Sequence, residues 1–527
     1  MPSPPDSEAS AEPTVRTSTY LLLLGFILLC GALLRFYNLS LESLWRDETI
    51  SVYLAKQPLW DVLRNRADKS HAPLYFLLLK PWVALFGDSE FAVRSMSAVA
   101  GLLAVPMIAI TGSALFRDRR VGLLAAALLC ISPLHVEYSQ ETRMYALAVL
   151  LALCSTHFLF ELLREPTRRR WICYLAATIV LIYEHNSAWF IVGIHNCIVL
   201  LRALLFKEKR GPSLRRWGLA QLGLVACFVP WMIMLSVYEG WEPGAREATV
   251  EKLTRQVAEP IVAYAGSLQL LIAYAIAVLA GLLALHPKGG GALPRGFFAR
   301  FKHLRPARDW RPWSLLVWAL LPVVILLLLT VAVSMKYQIR YTIVAVAGLY
   351  LLAALGISRL PGVALPLGAV GVFTALSIAP LTEHYRGGEK SDWRGAVAYI
   401  EAMADSGEVV YVDCTRPERD KKCSWDYYAR RDDLKPAGIP VERLKIKGKT
   451  RKMPAPKVTE RVRFWLLRLD GASYKRHVWW LESAGYRIKR YRKFKSLKVY
   501  LLERPPGKFV LPSYERVFEE DYGPRTN

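Results

Sequence analysis

Residues 18–51 read STYLLLLGFILLCGALLRFYN followed by LSLESLWRDETIS. The stretch from Ser18 to Asn38 is predominantly apolar. It has the roughly twenty residues that a helix needs to cross the hydrocarbon core of a bilayer. The polar, Ser-, Pro- and Glu-containing stretch Met1 to Arg16 precedes it, and no A-x-A cleavage signal follows, so the run reads as a first transmembrane helix and not as a removable signal peptide. Shortly after it come Asp47 and Glu48. Adjacent carboxylates beside a membrane interface are costly to place without a role or a partner.

Further apolar segments lie near 91–116, 121–133, 143–163, 171–183, 187–206, 216–237, 266–285, 314–334, 341–357 and 362–380, which makes about eleven candidate spans. The segments at 121–133 and 171–183 are short, so tilted, broken or partly inserted helices are expected there. The composition agrees, with 53% hydrophobic residues and a mean hydropathy of +0.23. A net charge of +25 would suit a nucleic-acid binder if the chain were soluble, but here many of the basic residues sit in short loops between apolar runs. That is membrane topology, and no nucleic-acid partner is expected.

Placing alternate loops on opposite sides separates the basic residues. Arg117, Arg119, Arg120, Arg164, Arg168 to Arg170, Lys207, Lys209, Arg210, Arg215, Arg216 and the stretch from Lys288 to Arg311 fall on one side. Apart from the loop after the first helix, the other side holds little more than Arg143, Arg246, Lys252, Arg255, Lys336 and Arg340. The positive-inside rule makes the first side cytoplasmic, with the N-terminus inside and, for an odd number of spans, the C-terminal part outside. The expected location is the cell inner (plasma) membrane, among membrane lipids.

The expected fold is an α-helical polytopic membrane protein with a C-terminal extracytoplasmic α/β domain. Its parts are a leader at 1–17, a membrane domain at 18–382 with a large outer loop at 39–90, and a soluble unit at 383–527. Amphipathic stretches at 59–66 and 74–86 read as helices lying on the membrane surface. In the soluble unit the pattern predicts a helix at 392–404, strands at 409–412 and 461–467, a helix at 474–482 and a hairpin at 486–502. Six of the eight cysteines lie in or beside apolar runs without ligand spacing and read as small hydrophobes. Cys414 and Cys423 lie in a polar loop, and a disulfide between them is left open, depending on the compartment.

The outer ends of several helices gather polar residues in one leaflet. They include His71, Lys80 and Arg94, then Tyr138, Gln140, Glu141 and Arg143, then His185, and finally Lys336, Arg340 and Tyr341. Each alone is accounted for by snorkelling or an aromatic belt. The whole set on one side, facing a strongly basic other side, favours a site. Moving a sugar off a lipid phosphate needs one base for the acceptor hydroxyl and cations for the departing phosphate. It does not need the second carboxyl group that glycoside hydrolysis uses. Asp47 as base, with Arg94, Arg143, Arg340 or His71 on the phosphate, would meet those demands, and arginine suits phosphate through its planar fork.

LWRDETIS at 44–51, HAPLYFLLLKPWVALFGDSEFAVRSMSAVAG at 71–101, YSQETRMYAL at 138–147, RYTIVAVAGLYLLAA at 340–354 and DWRGAVAYI at 392–400 carry a family likeness. The chain resembles bacterial members of the protein O-mannosyltransferase and aminoarabinose transferase superfamily, the type C (family 39) membrane glycosyltransferases. The resemblance implies inverting transfer from an undecaprenyl- or dolichyl-phosphate sugar to a protein, lipid or glycan hydroxyl. It implies Asp47 as catalytic base with Glu48 beside it, and Glu141 and Arg143 near the donor phosphate. His185 stands where relatives often carry a Tyr/His-rich turn. Some relatives hold a divalent metal, so a metal is left open, although no ligand spacing here requires one. A transporter or flippase of a lipid-linked glycan is the rival reading. Transporters place polar residues at midplane in discontinuous, often repeated helices, whereas this chain concentrates them at one surface.

Overall fold

The computed structural model describes residues 15–64, 71–206, 211–238, 265–285, 304–306, 309–332, 338–387, 390–413, 424–438, 441–446, 449–454, 462–469, 481–482 and 485–505. The helices are α1 (Thr17–Phe36), α2 (Arg46–Lys56), α3 (Leu59–Arg64), α4 (Leu74–Phe86), α5 (Glu90–Phe116), α6 (Arg119–Cys130), α7 (Pro133–Ser139), α8 (Tyr145–Arg164), α9 (Arg168–Ile182), α10 (Ala188–Leu200), α11 (Leu214–Tyr238), α12 (Leu268–Leu282), α13 (Trp310–Ala332), α14 (Val346–Ser358), α15 (Ala364–Arg386), α16 (Trp393–Met403) and α17 (Ser424–Tyr428). A π-turn, Leu201–Leu205, continues α10, and a 3-10 turn, Ile339–Ala345, leads into α14. The chain divides into two compact units, Met1–Leu39 with Pro58–Arg386, and Ser40–Gln57 with Gly387–Asn527.

In the first unit a helix overlaps every apolar segment expected from the sequence. Among the described residues, eight helices are long and apolar enough to cross a membrane, and a ninth span arises if the bent pair α6 and α7 is counted as one. The count falls short of eleven because α9 and α12 have only 15 residues each, and because the first turn of α9 is spent on Arg168, Arg169 and Arg170.

The break between α6 and α7 bends the pair by 63°. Pro133 cannot continue a helix through its missing N–H but is suited to starting one, and the Ser132 hydroxyl caps the new start by accepting from the His135 N–H at 3.2 Å. The carbonyls left over at the end of α6 are taken by Arg35 of α1. Its guanidinium, fully buried, donates to Cys130 O at 3.2 Å and Leu129 O at 3.1 Å, and to His135 Nδ1 at 2.9 Å. Gly101 of α5 lets α7 come close, since a Cβ there would overlap the Ser139 side chain. Together these contacts fix the turn that follows α7, where Gln140, Glu141 and Arg143 sit.

The second unit is a mixed sheet with order β4-β3-β7-β9-β8, in which β3 (Val409–Asp413) runs parallel to β4 (Lys435–Gly438) and β7 (Arg463–Leu469). β8 (Arg487–Phe494) and β9 (Leu497–Glu503) form the expected hairpin, antiparallel to β7 through β9. The apolar stripe Trp393, Ala396, Val397 and Ile400 of α16 packs on Val410, Val412, Trp465, Leu467, Val499 and Leu501. Two short pairs, β1 (Leu283–Leu285) with β2 (Leu304–Pro306) and β5 (Val441–Ile446) with β6 (Lys449–Pro454), complete the strands. The expected helix at 474–482 falls mostly outside the described residues, as do Cys414 and Cys423. The segment 40–57, expected as part of a single outer loop of the membrane domain, groups instead with this unit.

Candidate functional site

In the first unit, turns between helices bring a set of cations and aromatic rings together. His71 precedes α4, and its ring lies 5.4 Å from that of His185 in the turn between α9 and α10. The His185 ring in turn lies 5.7 Å from Tyr145, at the start of α8, and 6.3 Å from Tyr341. Arg340 stands over both tyrosines, at 5.9 Å from Tyr145 and 5.8 Å from Tyr341, and its Nε donates to Gln338 Oε1 at 2.6 Å. Such cation–ring contacts help to hold a guanidinium in place. Tyr138 meets Tyr145 edge-on at 5.0 Å. His185 is buried, with the Ser187 N–H donating to its Nδ1 at 3.0 Å, which leaves the proton of the neutral ring on Nε2.

Arg143 is 1% exposed. Burial, and then the charges of Arg143 and Arg340, push the His71 imidazole well below its ordinary range, so it is neutral at pH 7. Glu184, one residue before His185, is fully buried, and that burial raises its carboxyl well above the ordinary range.

An apolar groove of about 520 Å³ runs between α4, α5 and α8, lined among others by Leu78, Trp82, Leu85, Leu103, Leu147 and Leu150. Its lining also includes Tyr75 and Ser97. Their hydroxyls share a hydrogen bond of 2.9 Å, and Ser97 Oγ donates to the Arg143 carbonyl at 3.1 Å. Two hydroxyls thereby link the lining of the groove to the backbone of Arg143.

In the second unit the two neighbouring carboxylates of α2 have different surroundings. Glu48 is fully buried, and its Oε2 accepts from the Trp45 N–H at 3.3 Å and from Lys390 Nζ at 3.4 Å. Asp47, in the same first turn, is half-buried.

The family model for dolichyl-phosphate-mannose-protein mannosyltransferases matches residues 70–234. The fold is similar to the crystal structure of ArnT from Cupriavidus metallidurans in the apo state, with a TM-score of 0.59, 12% identity, and coverage of 92% of this chain and 98% of that one. It is also similar to ArnT of the same organism bound to undecaprenyl phosphate, with a TM-score of 0.56, 12% identity and the same coverage. Residues 70–234 thus resemble that mannosyltransferase family, and the chain shares the fold of the two ArnT structures. No curated protein sequence matches it.

The sequence-predicted residues separate into groups. The structure brings His71, Arg143, His185, Arg340 and Tyr341 together with Tyr138, while burial and neighbouring charge connect Glu141 to Tyr138 and Tyr145. Gln140 does another job. Its amide donates to the Leu34, Arg35 and Tyr37 carbonyls at 3.2, 3.2 and 2.8 Å, and its Oε1 accepts from His384 Nε2 at 2.8 Å. Those are carbonyls that the end of α1 leaves without helix partners. Arg94, buried, donates to the Leu39 carbonyl at 2.6 Å and so pins the chain as it leaves α1. Lys80 lies on α4, and Lys336 lies outside the described residues. Asp47 and Glu48 belong to the second unit.

Sequence reading missed Tyr145, Arg35 and Lys390 as parts of these groups. Tyr145 looks like the first residue of a span, Arg35 like an ordinary interfacial cation and Lys390 like one more lysine in a basic chain. Only Arg35 gave a signal, as a charged residue inside an otherwise apolar run. Among the described residues no grouping of His, Cys, Asp and Glu could hold a metal ion, and no step is routed through one.

Proposed function

We propose that the chain transfers a sugar, with inversion, from a polyprenyl-phosphate donor to a hydroxyl of an extracytoplasmic protein, lipid or glycan. The observation that carries this reading is the cluster of buried Arg143 and His185 with half-buried Arg340 and His71, linked through the Tyr75 and Ser97 hydroxyls to the lining of an apolar groove. A prenyl phosphate has that same pairing of an anionic head and an apolar tail. Arg143 and Arg340 stabilise the charge that develops on the departing phosphate. Neutral His71 contributes a hydrogen bond without adding charge, His185 stands beside it, and the groove takes the first prenyl units.

Asp47 is the base that removes the acceptor proton, and Glu48 supports it without touching substrate. ArnT bound to undecaprenyl phosphate is a relative in fold that takes a lipid of this donor class. By the loop charges, the outer turns and the C-terminal unit face away from the cytoplasm.

The test is reconstitution of purified protein in liposomes with radiolabelled polyprenyl-phosphate sugars and cell-envelope acceptors. Wild type transfers label, and Asp47→Asn loses at least about a hundredfold, the scale for removing a positioned base. Equal activity of the two proteins overturns the role of Asp47. Lipid movement across the bilayer without transfer supports a flippase instead.

A further inference from the structure

The segment that carries Asp47 is built into the second unit by its own set of hydrogen bonds. Arg394 Nη2 donates to the Ser40 and Leu41 carbonyls at 3.1 and 3.2 Å, and the Lys390 N–H donates to Glu42 Oε1 at 3.1 Å. Ser43 Oγ donates to Asp392 Oδ1 at 3.2 Å and accepts from the Arg394 N–H at 3.2 Å. The Leu44 N–H donates to the Tyr428 hydroxyl oxygen at 2.5 Å, and the Thr49 and Ser424 hydroxyls share a bond of 3.0 Å. Asp392 also caps α16, accepting from the Gly395 N–H at 2.9 Å. The DWRGAVAYI stretch is therefore both a helix start and the seat of the 40–57 segment.

At the centre of this docking lies Glu48, fully buried, one residue after Asp47. A carboxylate in that position needs a cation, and Lys390, whose side chain is 14% exposed, supplies it at 3.4 Å. The same carboxylate oxygen holds the Trp45 N–H and so closes the first turn of α2. Removing one member of a buried ion pair leaves an uncompensated charge, and the segment relaxes to hydrate it. Here that relaxation would move the turn on which Asp47 sits.

We propose that the C-terminal unit is the holder of the catalytic carboxylate, and that Lys390 is a positioning residue acting on Asp47 through Glu48. This rests on the reading of Asp47 as base.

The experiment uses the full chain in liposomes with a radiolabelled polyprenyl-phosphate sugar and compares Asp47→Asn, Lys390→Met, Lys390→Arg and the double variant Glu48→Gln with Lys390→Met. Lys390→Met is expected to lower kcat by roughly tenfold to a hundredfold, the range for a misplaced catalytic group, with the donor KM within about twofold of wild type. Lys390→Arg keeps the charge and most of the activity. The double variant regains most of kcat, because a glutamine still accepts from the Trp45 N–H and needs no counter-charge.

A raised donor KM in Lys390→Met, with no recovery in the double variant, overturns the inference and makes Lys390 a donor-binding group. Unchanged kcat in Lys390→Met, with Asp47→Asn inactive, overturns the inference and leaves the base in place. An active Asp47→Asn overturns the base itself. Should Lys390→Met fail to fold, the double variant and Lys390→Arg decide, and loss of kcat in the double variant overturns the inference.

Discussion

The turns at the helix ends of the first unit and the 40–57 segment of the second both concentrate charge, the first chiefly in arginines and the second in carboxylates. In the helical unit two guanidinium groups bear on one imidazole, and Arg340 stands over the rings of Tyr145 and Tyr341. In the 40–57 segment Glu42, Glu48 and the partner Asp392 each accept from a named N–H, O–H or ammonium donor. A set of carboxylates matched by internal donors is a scaffold. Under the function proposed above, the first unit serves the phosphate and the second holds Asp47.

Kinetics can break this comparison. Asp47→Asn should lower kcat by at least about a hundredfold and leave the donor KM near that of wild type, because a base acts in the chemical step. Arg143→Gln should lower kcat/KM for the donor by about a hundredfold, with a rise in KM, because a buried charged donor to phosphate is lost. Steady-state kinetics over a range of donor concentrations separates the two. If both variants change the same parameter in the same proportion, the two regions do not divide the work in this way.

Stability measurements sharpen the comparison within the helical unit. Arg35→Leu strips donors from the Leu129 and Cys130 carbonyls and from His135, and each orphaned group costs about 1–3 kcal/mol. The thermal midpoint in detergent should fall by several degrees, and an unchanged midpoint would show that the guanidinium does not hold the break between α6 and α7.

The smallest effect belongs to Glu184. Its folded carboxyl titrates above its unfolded value. Its contribution to stability is thus fully present below the unfolded value of about 4.5 and is lost as pH rises toward the folded one. Glu184→Gln removes that loss. The midpoint should rise by about a few degrees at pH 8 and stay level near pH 4.5. A rise of equal size at both values would mean that charge burial is not the cause.

Much of the fold was legible in the chain, and the reasons differ by element. Hydrophobic runs such as 90–116 and 145–164 announce themselves because the bilayer demands length and apolarity whatever the neighbours do. The strands 409–413 and 487–503 announce themselves by β-branched and alternating residues between turns. The bend after Cys130 was visible only as a short apolar segment, because the angle is set by Pro133 together with a guanidinium ninety-five residues away.

The candidate site was legible as a list of residue types at helix ends. It was not legible as an arrangement, since Gln140 and Arg143, three residues apart, serve a helix terminus and the cation cluster respectively. The sequence by itself determined that this is a many-helix membrane protein with a C-terminal α/β unit, because hydropathy and periodicity are local properties. Tertiary structure alone decided that the stretch around Asp47 and Glu48 is built into the C-terminal unit and that Lys390 answers Glu48. Hydrogen bonds and ion pairs between residues more than three hundred positions apart leave no periodic trace in the chain.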